Sequence, residues 1–397
     1  MRVAFLSMQQ AFLDALFRHQ GSLARLQEQV ATGRKFARPG QDPVAATEAL
    51  GLDAVLARNA SYLRNGSQAL SRLGLEEGAL AGMGDVLQRV RELTVQAANG
   101  PLPAGDRAMI AAEVRELRAQ LLSLANSQDG SGAYLFAGNA TQSAPFLQSG
   151  GSVAYLGDQG QRLVQIGLDR FVADGDHGAG LLMQVPDGDG VFRVVAGAAN
   201  TGTGLLGQRG VVDAAQYDGG TYSIVFTAPD AWEARDALGT PVATGTWVPG
   251  EAVRFRGLGI TLSGQPATGD RFEVSPSSRQ SVFAMLDDLV AALEAGATTP
   301  TARTALANDF ADLLGGLDQA LDHLLEARAG IGARMGAIES QEESLQAAGI
   351  DLQRTLSGLR DTDYAAALTR LQQELTTLEA AQQSFARTAG LSLFDYL

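Results

Sequence analysis

The sequence predicts an α+β multidomain protein: a long helical coiled coil or bundle built from both ends of the chain, with a β-rich domain inserted between them. Three observations carry that reading. Proline is absent from residues 1–38 and 301–397, whereas seven of the twelve prolines fall between 145 and 276. Both tryptophans, Trp232 and Trp247, lie in that proline-containing window. The proline-free arms carry apolar residues at helical spacing. Proline inside a helix removes a hydrogen bond and clashes with the preceding turn, so its distribution marks where long helices can run. A chain of 397 residues with 45% hydrophobic content can supply several domains with real cores.

The N-terminal arm places Phe5, Met8, Phe12, Leu16, His19, Leu23, Leu26 and Val30 at steps of three and four, the spacing of an amphipathic helix with a coiled-coil seam. Gly33, Pro39, Gly40 and Pro43 break that helix, and Asp42 is placed to cap or to accept in a turn, so residues 33–44 read as an elbow. Helical stretches follow at Leu80, Leu87, Val90, Leu93 and Ala97, and, after a break at 101–105, at Ile110, Val114, Leu117, Leu121 and Leu124. The middle holds alternating β-branched and aromatic runs bounded by glycine, such as residues 220–227 (GTYSIVFT) and 269–274 (GDRFEV), which read as strands.

The helical pattern returns at Leu306, Phe310, Leu313, Leu317, Leu321 and Leu324. Ile338, Leu345, Leu352 and Leu359 then repeat every seven residues. Near Asp361 the phase shifts, and the stripe resumes as Leu368, Leu371, Leu375, Leu378, Gln382 and Phe385. Such a shift changes the supercoil locally or marks a joint. A stripe on one helix buries too little to offset the ordering of its backbone, so each arm requires a partner helix, from the other arm or from another subunit. The chain therefore reads helical over 1–146, β-rich over 147–282 and helical again over 283–397.

Thirty basic and 44 acidic residues leave a net charge of −14 and a pI near 4.7. Such a surface repels phosphate backbones and anionic lipid, which argues against nucleic-acid and membrane partners. The charge is uneven: residues 1–146 carry 14 basic and 13 acidic groups, residues 283–397 carry 7 and 17, and this favours pairing one arm with the other. Absence of cysteine excludes disulfides, thiolate metal sites and thiol catalysis. No run of about 20 apolar residues is present, and the N-terminus lacks the pattern of a cleaved secretory signal.

Several strings imitate enzyme sites. Gly202-Thr-Gly204-Leu-Leu-Gly207 matches a dinucleotide-loop pattern, but Gln-Arg-Gly210-Val-Val follows where a helix is needed, so it reads as a loop of the β-domain. The Asp174-Gly-Asp176 and Asp187-Gly-Asp189 clusters lack the twelfth-position glutamate of a calcium loop and read as turns. His19 and His323 read as packing or interface histidines. No catalytic, cofactor or metal site is predicted.

Residues 23–46 (LARLQEQVATGRKFARPGQDPVAA), 87–99 (LQRVRELTVQAAN) and 134–138 (YLFAG) resemble the N-terminal region of the flagellin superfamily. Within it, the Asp42-Pro43-Val44-Ala-Ala string, Gly138 followed by Thr141 and Pro145-Phe146, residues 259–274 (GITLSGQPATGDRFEV) and the ending at 391–397 (LSLFDYL) are similar to its hook-associated branch; the alternative is a filament flagellin. The resemblance implies a non-enzymatic structural protein of the bacterial flagellum, without cofactor. It would self-associate into a ring at the hook–filament junction, between hook-associated protein 1 and flagellin, with transient contact to the filament cap protein. It would leave the cell through the flagellar type III system without a cleaved signal, escorted by an export chaperone at its C-terminal region. The assembly interface implied is Phe5, Met8, Phe12, Leu16 and Leu23 facing Leu371, Leu375, Leu378 and Phe385, with Leu391, Phe394 and Tyr396 anchoring the end. Gly33, Pro39, Gly40, Asp42 and Pro43 would form the elbow, and the resemblance implies a division into 1–42 with 355–397 as a terminal coiled coil, 43–146 with 283–354 as a helical bundle, and 147–282 as a β-rich outer domain.

Overall fold

The computed structural model describes residues 2–99 and 102–394, with residues 2–6, 8, 9 and 388–394 as backbone only. Among the described residues there are six α-helices: α1 (Arg2–Thr32), α2 (Pro43–Ala98), α3 (Ala104–Ala125), α4 (Val282–Glu294), α5 (Pro300–Arg360) and α6 (Tyr364–Phe394). Their starts follow from short-range chemistry. Asp42 Oδ1 accepts from the Ala45 amide at 3.0 Å, and Thr299 Oγ1 accepts from the Ala302 amide at 3.1 Å. Each caps a helix whose first residue is proline, where the missing N–H costs nothing. Asp363 Oδ1 accepts from the Ala365 and Ala366 amides and so starts α6.

Helix α5 is 61 residues long. Phe310, Leu317, Leu324, Ile331 and Ile338 are all buried along it at intervals of seven, and Leu345, Leu352 and Leu359 continue the series half-buried. The two apolar series read from the sequence on either side of residue 330 are therefore one heptad on one helix. The phase shift near Asp361 is the break between α5 and α6.

The chain divides into two compact units, Met1–Arg64 with Ser340–Leu397, and Asn65–Glu339. In the second, the main core joins Leu73, Leu80, Leu87 and Val90 of α2 to Ile110 and Val114 of α3, to Phe283 and Leu286 of α4, and to the buried heptad residues of α5. Fourteen strands lie between α3 and α4: β1 (Phe146–Ser149), β2 (Ser152–Tyr155), β3 (Leu163–Gln165), β4 (Phe171–Ala173), β5 (Val185–Pro186), β6 (Phe192–Ala196), β7 (Leu205–Val211), β8 (Tyr222–Ala228), β9 (Ala231–Asp236), β10 (Pro241–Thr246), β11 (Ala252–Phe255), β12 (Leu258–Ser263), β13 (Arg271–Pro276) and β14 (Arg279–Gln280). They belong to two cores. Phe146, Val153, Ile166, Val172 and Val185, from β1 to β5 and their turns, pack into the helical core. Strands β6 to β13 build a separate one, with a five-stranded antiparallel sheet in the order β10-β9-β8-β13-β6 and a three-stranded sheet β11-β12-β7. Its interior holds Phe192, Ile224, Phe226, Ile260, Leu262, Phe272 and both tryptophans. Burial alternates along β8 and β13, as expected of strands with one face in a core.

This β-sandwich is docked on α5 by polar groups. Asn308, buried, accepts from the Leu206 amide at 2.8 Å and donates to the Gly204 carbonyl at 3.0 Å, satisfying the end of β7. One turn further, Asp312 pairs with Arg193 at 2.6 Å and with Arg209 at 3.5 Å. Asn308→Ala leaves a buried N–H and a buried C=O without partners. A cost on the order of 3 kcal/mol is expected in the denaturant midpoint followed by tryptophan fluorescence, and a change below about 0.5 kcal/mol would show that the docking does not depend on this residue.

Candidate assembly surface

In the unit formed by both chain ends, α1 and α6 pair antiparallel. Phe12 stacks on Phe385 with ring centroids 5.0 Å apart. His19 Nδ1 lies 2.7 Å from Glu374 Oε2, and the Ser22 hydroxyl donates to the same carboxylate. The half-buried residues Phe12, Leu16, His19, Leu23, Leu26 and Val30 face a matching series on α6: Ala367 buried, then Leu371, Glu374, Leu378, Ala381 and Phe385 half-buried. Both series run in steps of four and three, so the pair closes as a two-helix seam.

The seam takes only part of the apolar stripe of each arm. Leu375, predicted from the sequence to face α1, lies on the outer flank of α6 at 40% exposure, with Leu368 at 47%; on α1, Leu13 is 40% and Phe17 64% exposed. Gln382 is also exposed. The reason is geometric: the apolar stripe of each arm spans more than the narrow a/d strip that one partner helix covers. Of the remaining sequence-predicted residues, Phe5, Met8, Leu391 and Phe394 sit on described backbone with side chains outside the described residues, and Tyr396 lies outside them entirely.

The elbow is a built joint. Gly33 ends α1 with φ of 71°, a left-handed conformation that selects glycine, and a Cβ there would also have to displace the Tyr364 hydroxyl 2.8 Å away. Its carbonyl accepts from the Thr362 amide, and the Lys35 amide donates to the Arg360 carbonyl, each at 2.8 Å. Arg34 thereby sits across a short antiparallel bridge from Asp361. Pro39 and Gly40 lie in the exposed turn that leads to the Asp42 cap and Pro43. The chain thus leaves α1 and enters α6 at the same level.

Elsewhere the strings that imitate ligand sites are internally satisfied. The carboxylate of Asp270 accepts from the amides of Thr201, Gly202 and Ala267, so it occupies the place a phosphate would take at the glycine string, and Leu205–Val211 runs on as strand β7. Asp187 takes the Ser278 amide and hydroxyl, Asp189 the amides of Val191 and Phe192, Asp174 pairs with Arg162, and Asp176 pairs with Arg334. His323 meets the Gly180 carbonyl at 2.8 Å. No group of three or more potential metal ligands occurs among the described residues, and no described helix is long and apolar enough to cross a membrane.

One titratable group had no counterpart in the sequence pattern. Glu76 of α2 is 1% exposed, accepts from the Asp176 amide at 2.9 Å with one oxygen and has no hydrogen-bond partner for the other among the described residues. Burial, and next the Asp176 carboxylate, push its carboxyl up to about 8, against the opposing pull of Arg334 and Arg72. A glutamate at an inward helical position four residues after Arg72 is the only signal that could have found it.

Comparison with known proteins places these features. The chain matches the bacterial flagellin N-terminal helical region over residues 3–141 and the bacterial flagellin C-terminal helical region over residues 314–397. It is similar along its length to flagellar hook-associated protein 3 of Escherichia coli (strain K12), with 26% identity over 396 residues that span 100% of this chain and 99% of that protein. The crystal structure of Xanthomonas campestris FlgL is 41% identical, covers 77% of this chain and 99% of its own, and superposes with a TM-score of 0.72. That of the flagellar junction protein FlgL from Legionella pneumophila is 30% identical, covers 70% and 95%, and gives a TM-score of 0.66.

Proposed function

We propose that this chain, which belongs to the flagellar hook-associated protein 3 family and is a structural component of the bacterial flagellum, forms the ring that joins the hook to the filament. Copies associate side by side, seat on hook-associated protein 1 and offer their far side to the first flagellin subunits, with the filament cap protein a transient neighbour. The chain reaches that position through the flagellar type III system, its C-terminal region held beforehand by an export chaperone. Residues 1–42 with 355–397 then line the axis, 43–146 with 283–354 make lateral contacts, and of the 147–282 segment only the sandwich of β6 to β13 forms the outer domain, because β1 to β5 pack into the helical core.

The observation that supports this reading best is the unequal use of the two apolar stripes. A closed seam hides Leu16, Leu371 and Leu378, while Leu13, Phe17, Leu368 and Leu375 stay exposed on the same two helices. Apolar rows of this kind beside a completed seam are what neighbouring copies in a closed assembly would cover. Deletion of the gene tests the reading: cells are expected to build hooks but to release flagellin into the medium. Deletion cells with attached filaments of normal length would contradict it.

A further inference from the structure

The elbow carries three basic side chains in five residues, Arg34, Lys35 and Arg38, all exposed, on a chain whose net charge is −14. None of the three forms an ion pair with a carboxylate among the described residues. The nearby acids are engaged elsewhere: Asp42 caps α2 through the Ala45 amide at 3.0 Å, Glu28 accepts from the Gln41 side-chain amide at 3.2 Å, and Asp361, across the bridge from Arg34, accepts from the Ser357 hydroxyl at 2.6 Å.

The loop that presents them is held from several sides. Besides the two backbone bonds to the α5–α6 joint, Gln41 Oε1 accepts from the Ala37 and Arg38 backbone amides at 2.7 and 3.3 Å, and Gln29 Nε2 donates to the Lys35 carbonyl at 2.6 Å. The Lys35 ammonium donates to the Gly358 carbonyl near the end of α5. A surface loop ordinarily lacks this many ties, and holding charged groups in place before an encounter lowers the entropic cost of binding.

From the charge balance and this preorganisation we infer that the elbow is a docking site for an acidic face of a neighbouring copy of this chain. The inference rests on the ring reading and names the contact within it. Copies that each carry −14 repel one another unless positive groups lie where they meet. The elbow supplies such groups, and residues 283–397, with 7 basic against 17 acidic side chains, supply the complement on the next copy. The same excess of acid argues against nucleic acid or anionic lipid as the occupant.

Lys35 is the only lysine of the chain, which makes the test direct. Hook–filament particles isolated from cells making the full-length protein are treated with a carbodiimide, which joins an amine to a touching carboxylate. A product of twice the 41.4 kDa chain mass is expected, containing peptides of this chain alone and linking Lys35 to an aspartate or glutamate. Arg34→Glu with Arg38→Glu is expected to lower its yield at least tenfold, and Lys35→Arg to abolish it while the protein stays in the particles. Cross-links from Lys35 only within its own chain, or only to a different protein, would overturn the inference while leaving the ring reading intact. Absence of the protein from the particles would overturn the ring reading and this contact together.

Discussion

Leu378→Glu opens the α1–α6 pair, Leu375→Glu leaves it closed, and each keeps the protein out of the assembled flagellum. The two leucines are three residues apart, yet the first is half-buried in the seam and the second is 40% exposed on the flank. A carboxylate in the seam loses the leucine's apolar contacts and must stay hydrated, at a cost of about 2 kcal/mol or more to pairing, roughly 30-fold in the opening equilibrium. On the flank the same change is within about 0.5 kcal/mol for the single chain. Hydrogen exchange of the α1 amides separates the two variants: faster in Leu378→Glu, unchanged in Leu375→Glu. Tryptophan fluorescence reports the β-sandwich, because Trp232 and Trp247 both lie in its core, and is expected to be native in both. If Leu375→Glu protein entered hook–filament particles at the normal level, the exposed row would have no role in assembly.

The stability of the unit containing Glu76 falls as pH rises from 4.5 to 8, and Glu76→Gln removes that fall. The folded carboxyl is pushed up to about 8 from an ordinary 4.5. Between those values the native state holds a proton that the unfolded chain has released, so each rise in pH favours unfolding. The stabilisation is complete below the unfolded value and is lost as pH passes the folded one. Integrated over that interval the term is on the order of 3 to 5 kcal/mol. The glutamine variant keeps an acceptor for the Asp176 amide without the ionisable group. Urea midpoints of wild type and variant are expected to converge near pH 5 and to separate by pH 8, with the variant the more stable. Parallel pH profiles would show that Glu76 is not held protonated.

Much of the architecture is legible in the sequence because long helices leave strong marks. The proline-free ends, the elbow at Gly33 to Pro43 and the phase shift at Asp361 locate the terminal helices and their joint. The β character of the middle follows from runs such as 220–227. Other features depend on the third dimension. Periodicity groups Leu368 and Leu375 with Leu371 and Leu378, since all four fall on one broad stripe, and only the position of α1 decides which pair is enclosed. Helices α5 and α1 do not reveal that Arg34 and Asp361, 327 residues apart, would meet in a bridge. The strands between 146 and 186 look like those after 192, yet Phe146, Ile166 and Val172 join the helical core whereas Phe192 and Val194 join the sandwich. Strand propensity says nothing about which surface a strand will cover. Glu76 is invisible for a similar reason: a charged residue in a helix is ordinarily solvated, and here the segment at 174–176 after β4 lies against it, with the Asp176 amide donating to its carboxylate.

The central claim, a ring at the hook–filament junction, is tested most directly by quantitative mass spectrometry of purified hook–filament particles, comparing this chain with the major filament subunit. A small amount, fixed per particle and independent of filament length, is the result predicted. An amount that grows in proportion to filament length would identify a filament subunit instead, and would contradict the account.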